Sequence, residues 1–339
     1  MSLEMIWIPL LTFAIAVLLT RGLCGERPWL RIQDHPNERS LHTQPTPRSG
    51  GVAMVLGLVI GLLSGWIYGE VPGGLGWISL GGGLIAGVSL LDDFRHVPAR
   101  WRFLVHMIAA ALLVAVGLAL RDVGLPLLSW SLPVLLGGTI TVLLVIWMIN
   151  LYNFMDGMDG FAAGMATIGF SALAVMAWRG GAGDLALSCL TVALAGAGFL
   201  VYNFPKARIF MGDLGSSLLG YLAIAFALWA DRYGVFPLWA ALLVFSPFIV
   251  DASVTLAIRL ARRERVWEAH RTHAYQRLVQ YGWGHRKTVL RAYVLMLACA
   301  VSAIVSVDLS AGYQAVVLIA WVMIYLFLWL SVRRICATD

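Results

Sequence analysis

Charge is what this chain has least of. Lys, Arg, Asp and Glu make up 12% of its 339 residues, roughly half the share of an ordinary soluble domain. Hydrophobic residues reach 60% and the mean hydropathy is +0.83. That balance excludes a soluble globular protein and leaves a polytopic membrane protein. Cysteine is sparse too: Cys24, Cys189, Cys299 and Cys336 lie far apart with no CxxC pair, which excludes a disulfide framework or a zinc ribbon. No stretch alternates apolar and polar residues as strands do, and no period repeats. The first apolar run, 3–20, has neither a basic leader nor a small-residue cleavage site, so it reads as a retained span. The net charge of +6 fits loops that set topology better than a nucleic-acid footprint.

What is present is apolar length. About 20 apolar residues cross the hydrocarbon core as a helix, and eleven runs qualify: 3–20, 50–68, 75–91, 103–120, 132–149, 161–178, 185–202, 216–230, 236–258, 289–307 and 313–330. The expected fold is an all-α, polytopic membrane helix bundle forming a single domain over 1–339. An odd number of spans separates the termini. Of the 24 Lys and Arg, 21 fall in alternate loops and the tail, against Arg121, Arg179 and Arg232 in the others. The positive-inside rule puts the basic set in the cytoplasm, with Met1 outside and Asp339 inside. The outer loops are short and rich in Gly and Pro. The inner ones, at about 92–102, 150–160, 203–216 and 259–288, hold nearly every chemical group.

Ionisable groups at the ends of apolar runs are costly unless paired, solvated or metal-bound, so they read first as functional. NLYNFMDGMDG, 150–160, follows the fifth run and carries Asp156 and Asp159, with Asn153 and Asp156 on one helical face; the bland alternative is an Asp-Gly turn. LLDDFRHVPARWR places Asp92 and Asp93 ahead of Arg95, Arg100 and Arg102. Acids of that kind suit a metal or a proton, and guanidinium groups suit phosphate; a self-neutralising loop end is the alternative. In NFPKARIFMGDLGSS, Asp213 offers a hard oxygen ligand and Phe210 an aromatic platform. Gly215, Ser216 and Ser217 are expected to open the next helix, with N–H groups free for an anion. The long basic loop holds His270, Arg271 and His273 without the further ligands a zinc site needs; it suits phosphate, or topology alone. Asp251, inside the ninth run, suits packing or catalysis equally. Asp34, His35 and His42 sit in no motif and take no role.

Together these pieces resemble the polyprenyl-phosphate N-acetylhexosamine-1-phosphate transferases. DDF at 92–94, NFMDGMDG at 153–160, FMGDLGS at 210–216 and HRTH at 270–273 agree in order and sidedness over roughly residues 45–290. HRTHAYQR looks most like the O-antigen-initiating branch. The resemblance implies a bacterial inner-membrane enzyme whose active site faces the cytoplasm. It implies transfer of an N-acetylhexosamine-1-phosphate, or a 6-deoxy form, from a UDP-sugar to undecaprenyl phosphate, with release of UMP. Mg²⁺ is the implied cofactor, with Mn²⁺ able to substitute. Asp213 would ligate it with Asn153, and Asp156 would hold the metal and phosphate array. Asp159 and Phe210 would hold the uracil, and Asp92 or Asp93 would take a proton from the acceptor. Arg102 falls where relatives place a phosphate-binding Lys, while His96 replaces Lys or Asn. His270, Arg271 and His273 would touch the diphosphate and sugar. The implied partners are UDP-N-acetylhexosamine, undecaprenyl phosphate, the bilayer and a second copy as a homodimer, with no nucleic acid. Two other readings are a phospho-muramyl-pentapeptide transferase and a membrane transporter, which would need polar groups at the bilayer midplane and paired broken helices.

Overall fold

The computed structural model describes residues 3–25, 30, 32–34, 36, 41, 44–68, 74–95, 97–265 and 270–336. His35, His42 and His96 lie outside the described residues, as does 266–269 of the basic loop. Thirteen helices follow one another: α1 Trp7–Leu23, α2 Gly50–Ile67, α3 Leu75–Arg95, α4 Ala99–Leu113, α5 Val134–Phe154, α6 Phe161–Arg179, α7 Gly183–Asn203, α8 Gly212–Arg232, α9 Leu238–Val244, α10 Ser246–Ala261, α11 Ala274–Leu278, α12 Gly284–Ser306 and α13 Ala311–Ile335. Among the described residues there are also a 3-10 turn, Leu3–Ile6, two π-helical turns, Val114–Leu118 and Val279–Trp283, and two small antiparallel strand pairs. β1 (Gln33–Asp34) pairs with β2 (Thr46–Pro47), and β3 (Asp122–Leu125) with β4 (Leu128–Ser131). This is a polytopic helical membrane protein. Among the described residues nine helical stretches are long and apolar enough to cross a bilayer, and the bent α9–α10 pair is a tenth. The 17 residues of α1 rise about 26 Å, close to the hydrocarbon thickness. These are the eleven stretches expected from hydropathy.

α8 is the axis: 94% of its apolar window is buried by protein, against 6% for α13. α3, α5 and α2 pack on α8, α6 touches it more lightly, and α7 and α1 pack outside on α6 and α2. Phe170, Phe226 and Phe245 interlock edge to face between α6, α8 and the α9–α10 corner.

Three boundaries depart from the expectation. α8 starts at Gly212, four residues before the apolar run, because the polar DLGSS turn is itself buried. Ser216 and Ser217 therefore lie inside the helix and offer no anion-binding start. The fourth span begins at Ala99, directly after Pro98, so Arg100 and Arg102 sit in its first turn. The ninth run is two helices bent by 80°. Pro247 cannot donate to the Leu243 carbonyl, and Ser246 Oγ takes that carbonyl instead at 2.7 Å. Among the described residues it is the one pair of span-forming helices so bent.

One backbone contact sets the site. Phe210 N–H donates to Pro47 O at 2.7 Å, Gly50 N–H to Phe210 O at 3.0 Å and Gly51 N–H to Met211 O at 2.8 Å. A Cβ on Gly51 would come within 2.5 Å of Met211 O, so this approach needs glycine. Gly212 then turns at φ +74°, and a Cβ there would sit 2.7 Å from Arg48 O.

Candidate active site

The acidic ends expected to converge do converge. A cavity of about 210 Å³ opens where α5, α8 and the loop before α6 meet, lined by Asn153, Asp156, Asp159, Phe210, Asp213 and Arg48 among others. A second compartment of about 430 Å³ adjoins it, sharing Leu41, Asp159, Phe210 and His285 and adding Lys206 and Arg286.

At the acidic end, Asp156 and Asp213 face the first compartment. Burial pushes the Asp156 carboxyl well above the usual carboxylate range, and the charges of Asp213 and Asp93 add to the effect. Asn153 Oδ1 accepts from Ser216 Oγ at 3.0 Å, which fixes it beside them. Mg²⁺ asks for hard oxygens from one or two carboxylates and completes its shell with water and substrate phosphate. Asp156 and Asp213 fit that demand. Among the described residues no group of three His, Cys, Asp or Glu could enclose a metal, so the donor set suits a cation shared with a phosphorylated ligand.

Asp92 and Asp93 stand one layer behind and do not line the cavity. Pointing apart as adjacent residues do, they have separate tasks. Asp92 Oδ1 accepts Val97 N–H at 2.6 Å, and its Oδ2 pairs with Arg102 Nη1 at 2.5 Å. The same Arg102 nitrogen lies 3.1 Å from Asp213 Oδ2. Asp93 accepts the N–H groups of Asp213 and Leu214, each at 3.3 Å, and lies 3.4 Å from Arg48 Nη2. The start of α8 thus receives an anion, but it is the chain's own carboxylate.

At the other end, the Asp159 carboxylate is held from two sides. His285 Nδ1 lies 3.0 Å from its Oδ1, and Ala207 N–H donates to its Oδ2 at 2.9 Å. Burial alone would raise the Asp159 carboxyl; the His285 and Ala207 hydrogen bonds outweigh it and hold the group below its ordinary value. Phe210 shares both compartments with Asp159. Asn203 staples the two loops, accepting Gly160 N–H and donating to Ile209 O, both at 2.9 Å.

His270, Arg271 and His273 do not line the cavity. Arg271 is exposed, and His270 is half-buried with its ring 4.8 Å from that of His273. Burial pushes the His270 imidazole down to about 4, with the charges of His273 and Arg259 behind it. His273 is buried between Phe154 and Tyr275. It is Gln276, one turn further, that reaches the cavity wall.

Sequence reasoning missed His285, Asn203, Arg48, Gln276 and Asp34, all of which line the first compartment. Asp34 arrives there through the β1–β2 pairing, although no motif surrounds it. No local pattern marks the others: Asn203 reaches Gly160 from 43 residues away, and His285 reaches Asp159 from 126.

Comparison with known proteins gives the family. The Glycosyl transferase family 4 model matches residues 76–231, which include the α3, α5–α6 and α8 acids. A Bacillus subtilis (strain 168) protein named probable undecaprenyl-phosphate N-acetylglucosaminyl 1-phosphate transferase is 33% identical over 275 residues, covering 80% of this chain and 76% of its own. The decaprenyl-phosphate N-acetylglucosaminephosphotransferase of Mycolicibacterium smegmatis is 33% identical over 324 residues, covering 84% and 77%. The undecaprenyl-phosphate alpha-N-acetylglucosaminyl 1-phosphate transferase of Yersinia pestis is 27% identical over 337 residues, covering 97% and 88%. Similarity of this extent means that the chain belongs to the polyprenyl-phosphate N-acetylhexosamine-1-phosphate transferase family.

Proposed function

We propose that the protein transfers N-acetylglucosamine-1-phosphate from UDP-N-acetylglucosamine to undecaprenyl phosphate in the bacterial inner membrane, from the cytoplasmic side. The observation that carries this reading is the two-ended cavity. Asp156, Asp213 and Arg48 at one end suit a diphosphate with its counter-ion, and Asp159, Phe210 and His285 at the other suit a planar base. The sugar and lipid follow the relatives' names, whose alternative acceptor is decaprenyl phosphate. O-antigen initiation is the pathway favoured by HRTHAYQR.

In this reading an oxygen of the acceptor phosphate attacks the sugar-linked phosphorus of the donor. The bond to the bridging oxygen breaks, UMP leaves with the electron pair, and a new lipid diphosphate forms. A phosphate monoester is largely dianionic at neutral pH, so it needs placement more than deprotonation, and a carboxylate attacking first would face like-charge repulsion. Mg²⁺, or Mn²⁺ in its place, would sit at Asp213 and Asp156 with Asn153 alongside, and supply charge neutralisation across the diphosphate. Asp159 and Phe210 hold the uracil. Arg102 keeps Asp213 in place and lends positive charge to the phosphates. Asp93 orients the start of α8, and Asp92 orients Arg102. Neither acid lines the cavity, so the acceptor reacts as its dianion, and Arg271 and His270 close over the donor from the basic loop.

The test is release of UMP by purified protein given UDP-N-acetylglucosamine, undecaprenyl phosphate and Mg²⁺, with omission of each as control. No UMP, or UMP release independent of the lipid, overturns the reading. For direct displacement, labelled UMP should not exchange into UDP-sugar when bound lipid is removed; exchange that vanishes in Asp156→Asn would establish a covalent route instead.

A further inference from the structure

Asp251 is the one carboxylate within a broken span, and its oxygens point away from lipid toward the loop that follows. Its Oδ1 accepts Ala274 N–H at 2.8 Å and Thr255 Oγ1–H at 3.2 Å, and its Oδ2 accepts Tyr275 N–H at 3.3 Å. Oδ1 also lies 3.6 Å from His273 Nδ1. The helix it grips, α11, runs on through a π-helical turn, Val279–Trp283, into α12, so it is the start of this stretch that lacks backbone partners. Its first N–H groups therefore depend on outside acceptors, and Asp251 supplies two of them. Gln276 Oε1 completes the start by accepting His273 N–H at 3.2 Å.

What α11 carries makes this grip matter. Its first residues directly follow His270, Arg271 and His273. Tyr275 OH donates to Phe154 O at 3.1 Å, tying α11 to the loop that bears Asp156. A Cβ on Gly157 would meet that hydroxyl at 2.3 Å, so the two segments are in full contact. Gln276 lines the cavity itself. Asp251 is thus joined through one short helix to the basic loop, the acidic loop and the cavity wall.

We propose that Asp251 is a positioning residue for the transfer reaction: from the bent ninth span it fixes α11, and through α11 the working places of His273 and Gln276. This rests on the transferase reading. Asp251 touches no reacting atom. Displacing a positioned group by about 1 Å can cost on the order of 100-fold in rate, so Asp251→Ala should lower kcat by about 10- to 100-fold. Asp159 is held by His285 and Ala207 rather than by the α11 N–H groups that Asp251 accepts, so the KM for UDP-sugar and the protection against heat by UMP should stay near wild type.

The experiment measures kcat, KM and UMP-dependent thermal protection for purified Asp251→Ala, Asp251→Asn, His273→Ala and the two doubles with His273→Ala. The isosteric Asn keeps one acceptor, so it should fall between wild type and Ala. If Asp251 acts through α11, the losses overlap and each double is no worse than its poorer single. Losses that add in full, full activity in both Asp251 variants, or equal loss of UMP binding would overturn the proposal. Should Asp251→Ala not fold, the Asn cycle decides alone. An inactive wild type would instead remove the transferase reading, and a fully active His273→Ala would remove the role of the basic loop.

Discussion

Arg102 Nη1 stands between two carboxylates, 2.5 Å from Asp92 Oδ2 and 3.1 Å from Asp213 Oδ2. One guanidinium nitrogen thereby couples the corner between α3 and α4 to the first turn of α8. Its removal leaves a buried carboxylate, Asp92, short of its cation. Arg102→Ala should destabilise the protein by roughly 1–3 kcal/mol, and turnover should fall with it. Adding Asp92→Asn to that variant should recover most of the lost melting temperature but not the turnover. Recovery of both would reduce Arg102 to a structural ion-pair partner.

Asp213 is the acid that the cavity shares with the start of α8. Asp213→Asn should abolish UMP release at every Mg²⁺ concentration while the protein still inserts and melts cooperatively in detergent. An active variant with an unaltered Mg²⁺ titration removes Asp213 from the metal.

Arg271 is exposed and off the cavity wall, so Arg271→Ala should leave the melting temperature unchanged. If the loop closes on the diphosphate, kcat/KM should fall by roughly 2–4 kcal/mol of transition-state stabilisation, as for loss of one oxyanion donor. Wild-type kinetics would return this arginine to a topological role.

The neighbouring His270 gives a pH signature. Its folded value lies at about 4 against an ordinary 6.5, so the unfolded chain takes the proton first. The stability that this neutral histidine contributes is complete above pH 6.5 and is lost as pH falls toward 4. Melting temperature in detergent should decline across that window, and His270→Gln should flatten the decline. An identical slope in the variant would mean that the imidazole is solvated in both states.

Orientation follows from 21 of the 24 Lys and Arg lying in one set of loops and the tail. Reporter fusions should find Met1 outside and Asp339 in the cytoplasm. Both termini on one side would mean that α1 or the bent α9–α10 pair fails to cross.

Much of this was legible in the chain because bilayer physics is blunt. Eleven apolar runs became helices, and Asp156, Asp159 and Asp213 reached one cavity because acids at span ends have few other places to go. The break at Phe245 also had a visible sign in Pro247, which hydropathy averaging hid. The start of α8 was misread because DLGSS looks like a loop by composition, and only α3's Asp93 makes it a buried helical turn. Arg48, Asn203 and His285 were illegible for a different reason. Their partners Asp93, Gly160 and Asp159 lie 45, 43 and 126 residues away, and no local pattern carries such pairings.

The Asp93 carboxylate and the Leu214 N–H that it holds are separated by 121 residues. During synthesis, therefore, the third span enters the membrane with an acid that has only Arg48 beside it, its two N–H donors on α8 being still unmade. Asn153, Asp156 and Asp159 lie in the first half of the chain, but the cavity they line is complete only when α8 packs against α3 and α5 and brings Asp213. A chain cut between α7 and α8 should then yield two pieces that are inert apart and active when co-expressed, with the α8 start as the seam along which they rejoin.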